Sequence, residues 1–308
     1  MEGCKFLRLT AKTNILAVIG DPIEHSMSPT MHNAALNALD LDYVYIAFHV
    51  TPDKLKQACD GFRALGIKGI NVTIPHKRAI IPFLDEIDPI AQGIGAINTI
   101  KNDNGKLLAR NTDGEGMMKA VVDAGFDPKN KKCVILGAGG AARAIAFMLG
   151  TKAKEIVLMD LVPTVANDLR VQLIDFFNLP TLRDHLGYQP KPNIRVIPLE
   201  RDALNAEVTD ADLFINASPI GMHPQYENQS PLDPFAIVLS PRTYVFDCVY
   251  NPFETKLLKD AKKWGCHTIE GIHMLVNQGA LAFEWWTGQK PDTALMLDAA
   301  IKKLGISR

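Results

Sequence analysis

The run VILGAGGAARA, Val134 to Ala144, constrains the fold more than any other stretch of the chain. An apolar strand ends at Gly137, where a tight turn needs a residue without a Cβ. Gly139 leaves space for a phosphate to approach the backbone, and Ala142 stands where the following helix must pack closely on the strand. A helix opening here aims free N–H groups and the positive end of its dipole at an anion. The pattern predicts a Rossmann-type unit with a parallel sheet and a dinucleotide ligand. A glycine-rich turn that only packs a helix on a strand meets the same spacing. The next apolar run, EIVLMD, closes on Asp160, 23 positions after Gly137, close to the ~20 expected for a ribose-binding acid. A carboxylate there either accepts hydrogen bonds from a ribose diol or ends the strand and caps the next helix.

Strand and helix patterns alternate on both sides of this turn. Before it come ILAVIG, MHNAALNALD, YVYIAFHV, DKLKQACDGFRALG and GINVTIP, with prolines at element ends, which reads as one parallel α/β unit. TDGEGMMKAVVDAGF then reads as a connecting helix ending at Gly125. After the turn follow EIVLMD, a helix near 165–177, IRVIPL, ADLFINAS, TYVFDCVY and a helix near 255–264. The segment 178–195, with three prolines and no clear period, is expected to be a surface loop. Helices from Gly271 onward have no strand partner of their own. At 308 residues the chain suits two domains of about 150 residues each. The expected division is 1–112 plus 271–308 as a substrate-binding and catalytic domain, and 113–270 as the dinucleotide-binding domain, the two forming a cleft.

The totals exclude several classes. With 33 basic against 34 acidic residues there is no electrostatic footprint for nucleic acid. No apolar run reaches membrane-span length, and MEGCKFLRLTAKTN lacks a signal peptide's apolar core. Cys4, Cys59, Cys133, Cys248 and Cys266 stand singly, which suits a reduced, cytoplasmic chain better than a disulfide framework. The histidines show no metal-ligand spacing, so no metal is expected. Trp285 and Trp286 follow an apolar helical stripe and are read as packing.

In NVTIPHK, Ile70, Val72 and Ile74 alternate with Asn71 and Thr73, and Pro75 stops the strand. Asn71 and Thr73 thus fall at the carboxyl end of a parallel strand, where α/β ligand sites form, with Lys77 just beyond. Alone, a lysine there is equally a solvated surface residue.

The strings GDPIEHSMSPTMHNAAL, NVTIPHK, GAINT, NTDGEG, GAGGAARA, NASPIGM, DCVYNPFETKLL and GIHMLVNQGALAFEWWTG occur in this order between residues 20 and 288. Together they closely resemble the shikimate dehydrogenase family, including its quinate/shikimate branch, over nearly the whole chain. The resemblance implies a two-domain α/β enzyme of aromatic amino-acid biosynthesis that interconverts 3-dehydroshikimate and shikimate with a nicotinamide dinucleotide. It implies Lys77 and Asp113 as the catalytic pair; Asp113, or Thr112, is also placed to cap a helix. It implies Ser26 and Ser28 as hydroxyls on the substrate carboxylate, with Thr73, Asn98, Tyr250 and Gln278 completing a polar cradle. The dinucleotide would meet Gly137, Ala138, Gly139, Gly140, Ala141, Asp160, Cys248 and Gly271. Where NADP-using members usually carry Asn-Arg-Thr, this chain has Met159, Asp160 and Leu161, so NAD is the expected preference, with NADP as the alternative. The expected partner is a small-molecule substrate, with neither nucleic acid nor membrane; a homodimer stays open. The rival functions are a quinate or dual quinate/shikimate dehydrogenase and a non-catalytic dinucleotide-binding sensor.

Overall fold

A computed structural model of the chain describes residues 9–306; Cys4 and most of the basic N-terminal stretch lie outside them. The chain forms two compact units, one from residues 1–88, 97–110 and 279–308, the other from 89–96 and 111–278. The boundaries drawn from sequence, after 112 and after 270, differ slightly from these. Residues 89–96 and the first eight residues of the helix Gly271–Thr287 go with the second unit.

The first unit holds a six-stranded sheet of β1 (Asn14–Gly20), β2 (Tyr43–His49), β3 (Gly69–Val72), β4 (Glu86–Ile87), β5 (Thr99–Asp103) and β6 (Lys106–Arg110), in the order β2-β1-β3-β5-β6-β4. β2, β1 and β3 are parallel, whereas β5 runs antiparallel to β3 and to β6. The three strands read as parallel are parallel, and the sheet continues with a hairpin the reading did not include: β5 and β6 join at Asn104-Gly105, both at positive φ, the pair a two-residue type I′ turn demands. β3 also ends at Val72, so Ile74, expected on the apolar face, is 67% exposed. The alternation fails there because the strand has already stopped.

The unit's core is completed from the end of the chain. Helix Thr293–Lys303 packs on helix Ser28–Ala38. A Cβ on Gly69 would lie 2.5 Å from the Trp286 ring, whose indole N–H donates to Ile100 O at 2.9 Å. Trp286 is thus a buried packing residue, and Trp285 lies under the Arg110 guanidinium at 4.5 Å.

The second unit is a parallel sheet of β7 (Lys132–Leu136), β8 (Glu155–Met159), β9 (Asn193–Val196), β10 (Leu213–Asn216), β11 (Tyr244–Asp247) and β12 (His267–Glu270), ordered β12-β11-β10-β7-β8-β9. This is the doubly wound order, and its direction reverses between β7 and β10. Strand interiors such as Val134, Ile135, Leu158 and Phe246 are fully buried, as a sheet covered on both faces requires. The expected loop 178–195 is corrected: a helix, Pro180–Leu186, occupies its first half. Pro180 supplies the first helical position, where a missing N–H costs nothing, and Gly187 ends the helix at φ 75°.

Candidate active site

In the first unit, strand order reverses between β1 and β3, the place where ligand crevices form in α/β sheets. The loop after β1 carries Ser26 and leads into the helix that starts at Ser28; the turn after β3 carries Thr73 and Lys77. The two turns are tied together: Thr73 N–H donates to Ile19 O and Asp21 N–H to Ile74 O, each at 3.0 Å. A Cβ on Gly20 would sit 2.6 Å from Thr73 Cγ2, so glycine there lets the turns approach. Lys77 lies in the short helix His76–Ala79. Fully buried His76 pins that helix to the end of β2 through a 2.6 Å contact of its Nε2 with Val50 O, and Ile97 N–H donates to Lys77 O at 2.8 Å. The lysine backbone is therefore fixed on both sides, while its side chain is half-buried.

Asn98 lies immediately before β5, and its N–H and O pair with the neighbouring strands, the O accepting from Val72 N–H at 2.9 Å. Asn71 Nδ2 donates to Asn98 O (3.1 Å) and Thr99 Oγ1 (3.2 Å), and Thr99 Oγ1 donates to Asn98 Oδ1 (2.9 Å). Asn71 Oδ1 accepts from the Tyr45 hydroxyl at 2.7 Å. Ser26, Ser28, Thr73, Lys77 and Asn98 thus all lie on the segments that follow β1 and β3 or lead into β5.

The remaining substrate and catalytic candidates belong to the second unit. Asp113 is the first residue of helix Asp113–Asp123, is buried, and its N–H donates to Asn111 Oδ1 at 3.0 Å. Thr112 occupies the N-cap position without a side-chain cap bond. Its hydroxyl donates to Gln278 Oε1 at 3.5 Å, and a Cβ on Gly116 would lie 2.7 Å from Gln278 N. Asp113 and Gln278 therefore sit on two closely packed helices. Tyr250, half-buried, lies in the loop after β11, and burial pushes its hydroxyl pKa up.

The dinucleotide candidates gather at the carboxyl edge of the second sheet. Gly137 has φ +107°, and a Cβ there would press to 2.8 Å from the Ala217 carbonyl. Glycine is therefore required both by conformation and by the crossing loop after β10. A Cβ on Gly139 would meet nothing within 4 Å, which leaves open space before the helix Gly140–Gly150, where Ala141 lies in the first turn and Ala142 is buried against the sheet. Asp160 Oδ2 accepts from Ala138 N–H and Oδ1 from Val162 N–H, both at 2.8 Å. It therefore ties the glycine turn to the segment that leads into the helix Pro163–Phe177. Cys248 follows β11, and Gly271 abuts it: a Cβ there would lie 2.5 Å from Asp247 O and 2.7 Å from Cys248 O. A turn at positive φ, unobstructed space and an eleven-residue helix fit a pyrophosphate.

Two residues absent from the sequence reading hold this edge together. Asp247, fully buried, accepts from Asn216 Nδ2 (2.9 Å), Val249 N–H (3.0 Å) and the Thr255 hydroxyl (2.7 Å). Burial pushes its carboxyl pKa up to about 7 against these donors. Asn216 in turn accepts from Ser218 N–H and Oγ. The available signal was a polar residue closing an apolar strand, FIN and VFD.

Two family models match: the shikimate dehydrogenase substrate binding domain over residues 18–100 and the shikimate 5'-dehydrogenase C-terminal domain over 271–301. A shikimate dehydrogenase (NADP(+)) of Methanopyrus kandleri is 44% identical over 96% of this chain and 97% of its own length. A crystal structure of a shikimate dehydrogenase with NADP+ matches at TM-score 0.84 and 41% identity over 96% of this chain and 98% of that one. The Listeria monocytogenes shikimate 5-dehydrogenase, in complex with shikimate and NAD, matches at TM-score 0.83 and 36% identity over 94% and 97%. The chain belongs to the shikimate dehydrogenase family of NAD(P)-dependent oxidoreductases.

Proposed function

We propose that this protein is a shikimate dehydrogenase, reducing the ketone of 3-dehydroshikimate to the hydroxyl of shikimate and running in reverse. The observation that carries the reading is the junction of the turns after β1 and β3, tied together by backbone hydrogen bonds. It combines neutral hydroxyl and amide groups with one lysine whose backbone is fixed on both sides. Such a lining suits a ring bearing several hydroxyls, because a site built to hydrogen-bond an OH rejects analogues without it. The named relatives support shikimate over quinate.

The dinucleotide, when bound, supplies or accepts the hydride. Lys77 donates a proton to the carbonyl oxygen as reduction proceeds and takes it back in the oxidation, or holds the developing charge as a cation. Asp113 accepts a hydrogen bond from a substrate hydroxyl. Ser26 and Ser28 hold the carboxylate; Thr73, Asn98, Tyr250 and Gln278 hold the ring hydroxyls.

For the cofactor, the reading is that NAD is preferred, although relatives carry NADP in their names. Both oxygens of Asp160 are tied to backbone amides, which opposes its swinging away from an incoming 2′-phosphate, and free lone pairs remain for a ribose hydroxyl. The neighbouring Leu161 is 82% exposed and brings no charge. Arg195 is held by Glu155 (2.7 Å) and by both oxygens of Glu207 (2.8 and 2.7 Å), and Lys152 and Lys154 precede β8, at the other end of the strand. Arg170 lies about two turns into the helix Pro163–Phe177. An initial-rate matrix of shikimate and quinate against NAD and NADP tests the whole reading. It is sustained by the highest kcat/KM for shikimate with NAD. A quinate optimum overturns the substrate assignment, an NADP optimum the cofactor assignment, and no turnover leaves the sensor.

A further inference from the structure

Segment 248–255, which joins β11 to the helix Lys256–Lys263, forms neither strand nor helix, and Tyr250 lies within it. Both ends of this segment are fastened to one carboxylate. At the near end Asp247 Oδ1 accepts from Val249 N–H at 3.0 Å, a turn in which a side chain replaces a main-chain acceptor. At the far end Asp247 Oδ2 accepts from the Thr255 hydroxyl at 2.7 Å, and Thr255 Oγ1 in turn accepts from Leu258 N–H and caps the helix. The neighbouring strand steadies the carboxylate through Asn216 Nδ2 at 2.9 Å. Asp247, Asn216 and Thr255 are all fully buried, so water does not compete for these bonds. The residue after Tyr250 is held as well, since Asn251 O accepts from His223 N–H at 2.9 Å. Tyr250 thus stands between two fixed peptide groups. Cys248 is held differently: its N–H donates to Asn216 O at 2.9 Å, continuing the pairing of β10 with β11.

We propose that Asp247 is a positioning residue for substrate binding: by closing segment 248–255 on itself it holds Tyr250 in place for a ring hydroxyl. The proposal rests on the assignment of Tyr250 to the substrate. A segment without a ladder of its own, left open at its foot, samples many arrangements and must be ordered each time a substrate binds. With the carboxylate in place, that ordering is complete in the folded protein. The residue type fits the task, because a carboxylate is an acceptor on both oxygens and can serve Val249, Asn216 and Thr255 together. Asp247 is itself out of reach of any ligand and acts only through the main chain that it ties. Cys248 keeps its place through the sheet, so the effect falls on the substrate and spares the dinucleotide.

A double-mutant cycle with Tyr250→Phe tests this. Asp247→Ala releases both ends of the segment, and the KM for shikimate should rise about five- to tenfold, the scale of one hydrogen bond to the substrate. The kcat should stay within about threefold and the dinucleotide KM within about twofold. In a Tyr250→Phe background the same substitution should change the substrate KM by less than about twofold, because the hydroxyl it acts through is gone. Asp247→Asn should restore a near-wild-type KM, since its carbonyl oxygen keeps Val249 and Asn216 as donors while its amide donates to Thr255 Oγ1. A merely structural aspartate would lower the folded fraction and leave both KM values alone, or give the same factor in both backgrounds. Either result overturns the proposal, as does an Asp247→Asn enzyme no better than Asp247→Ala. If Tyr250→Phe itself leaves the substrate KM unchanged, the Tyr250 assignment fails and the proposal falls with it; a raised KM there beside an unchanged one in Asp247→Ala sinks the proposal alone. Should Asp247→Ala not accumulate as folded protein, Thr255→Val frees only the far end and Thr255→Ser keeps it. Thr255→Val should raise the substrate KM about fivefold and Thr255→Ser by less than about twofold, and equal values in the two again overturn the proposal.

Discussion

The two units fix their ligand-facing groups in opposite ways. In the first, side chain holds side chain: Tyr45, Asn71, Thr99 and Asn98 are linked by hydroxyl and amide bonds that run across β2, β3 and the start of β5. In the second, the turn is set by backbone. Gly137 excludes a Cβ, Asp160 bonds two main-chain amides, and Asp247 joins the loops after β10 and β11. A surface shaped by side chains discriminates among ring hydroxyls, and single substitutions retune it. A surface of amides recognises a phosphate shared by every dinucleotide, tolerates side-chain change and fails at its glycines.

Lys77→Ala is the largest expected break on the substrate side. Turnover should fall by roughly two decades or more, the scale of proton transfer or charge stabilisation, with dinucleotide affinity retained; a loss within about threefold would remove Lys77 from the chemistry. Next comes Gly137→Ala, which adds a methyl at φ +107° against the Ala217 backbone. Dinucleotide KM should rise roughly tenfold or more through strain and displacement of the turn, while the KM for shikimate stays near wild type. Unaltered dinucleotide binding would show that the turn is not set by this glycine.

Asp160→Ser sharpens the comparison, since Asp160 is the one side chain proposed to read the dinucleotide. A carboxylate against a 2′-phosphate costs about 1 to 4 kcal/mol at effective dielectrics of roughly 80 to 20. The ratio of kcat/KM for NADP over NAD should therefore increase about tenfold in the variant. No shift, or a wild-type preference for NADP, would take Asp160 out of this role.

The smallest effects are on stability, and they have opposite signs in the two units. Burial raises the Asp247 carboxyl from 3.8 to about 7, so the folded state binds a proton that the unfolded state releases. That stability is complete below about pH 3.8 and is lost as pH rises toward about 7. Asp247→Asn should gain on wild type in thermal midpoint by a few degrees across that window. Burial lowers His32 from 6.5 to about 3, so wild type loses stability as pH falls below about 6.5 and His32→Leu should gain on it toward acid. Midpoint differences flat with pH would mean that neither burial is felt.

What could be read from the sequence was whatever is decided locally. The glycine turn, the strand that ends at Asp160 and the helix that ends at Gly125 each carry their determinants within a dozen residues, and they lie where the pattern put them. The β5–β6 hairpin was equally local, with Asn104-Gly105 as its signal, and was passed over. Tyr45 escaped for a different reason. An aromatic in an apolar run looks like packing until β2, β1 and β3 are laid side by side and its hydroxyl meets Asn71. Asp247 and Asn216 became visible only when β10 and β11 became neighbours. The ion pairs of Arg195 with Glu155 and Glu207 likewise join residues that are well apart in the chain.

The closing of the first unit by Trp286 and the helix Thr293–Lys303 has a consequence for how the protein is made. A ribosome delivers β1, β2 and β3 first, yet the indole that fills the space over Gly69 and the helix that covers Ser28–Ala38 emerge more than two hundred residues later. Every strand of the second unit has left the exit tunnel by then. The unit begun first is therefore finished last, and the nascent chain must carry an incomplete, apolar sheet through most of its synthesis, the kind of species that invites chaperones or misassembly.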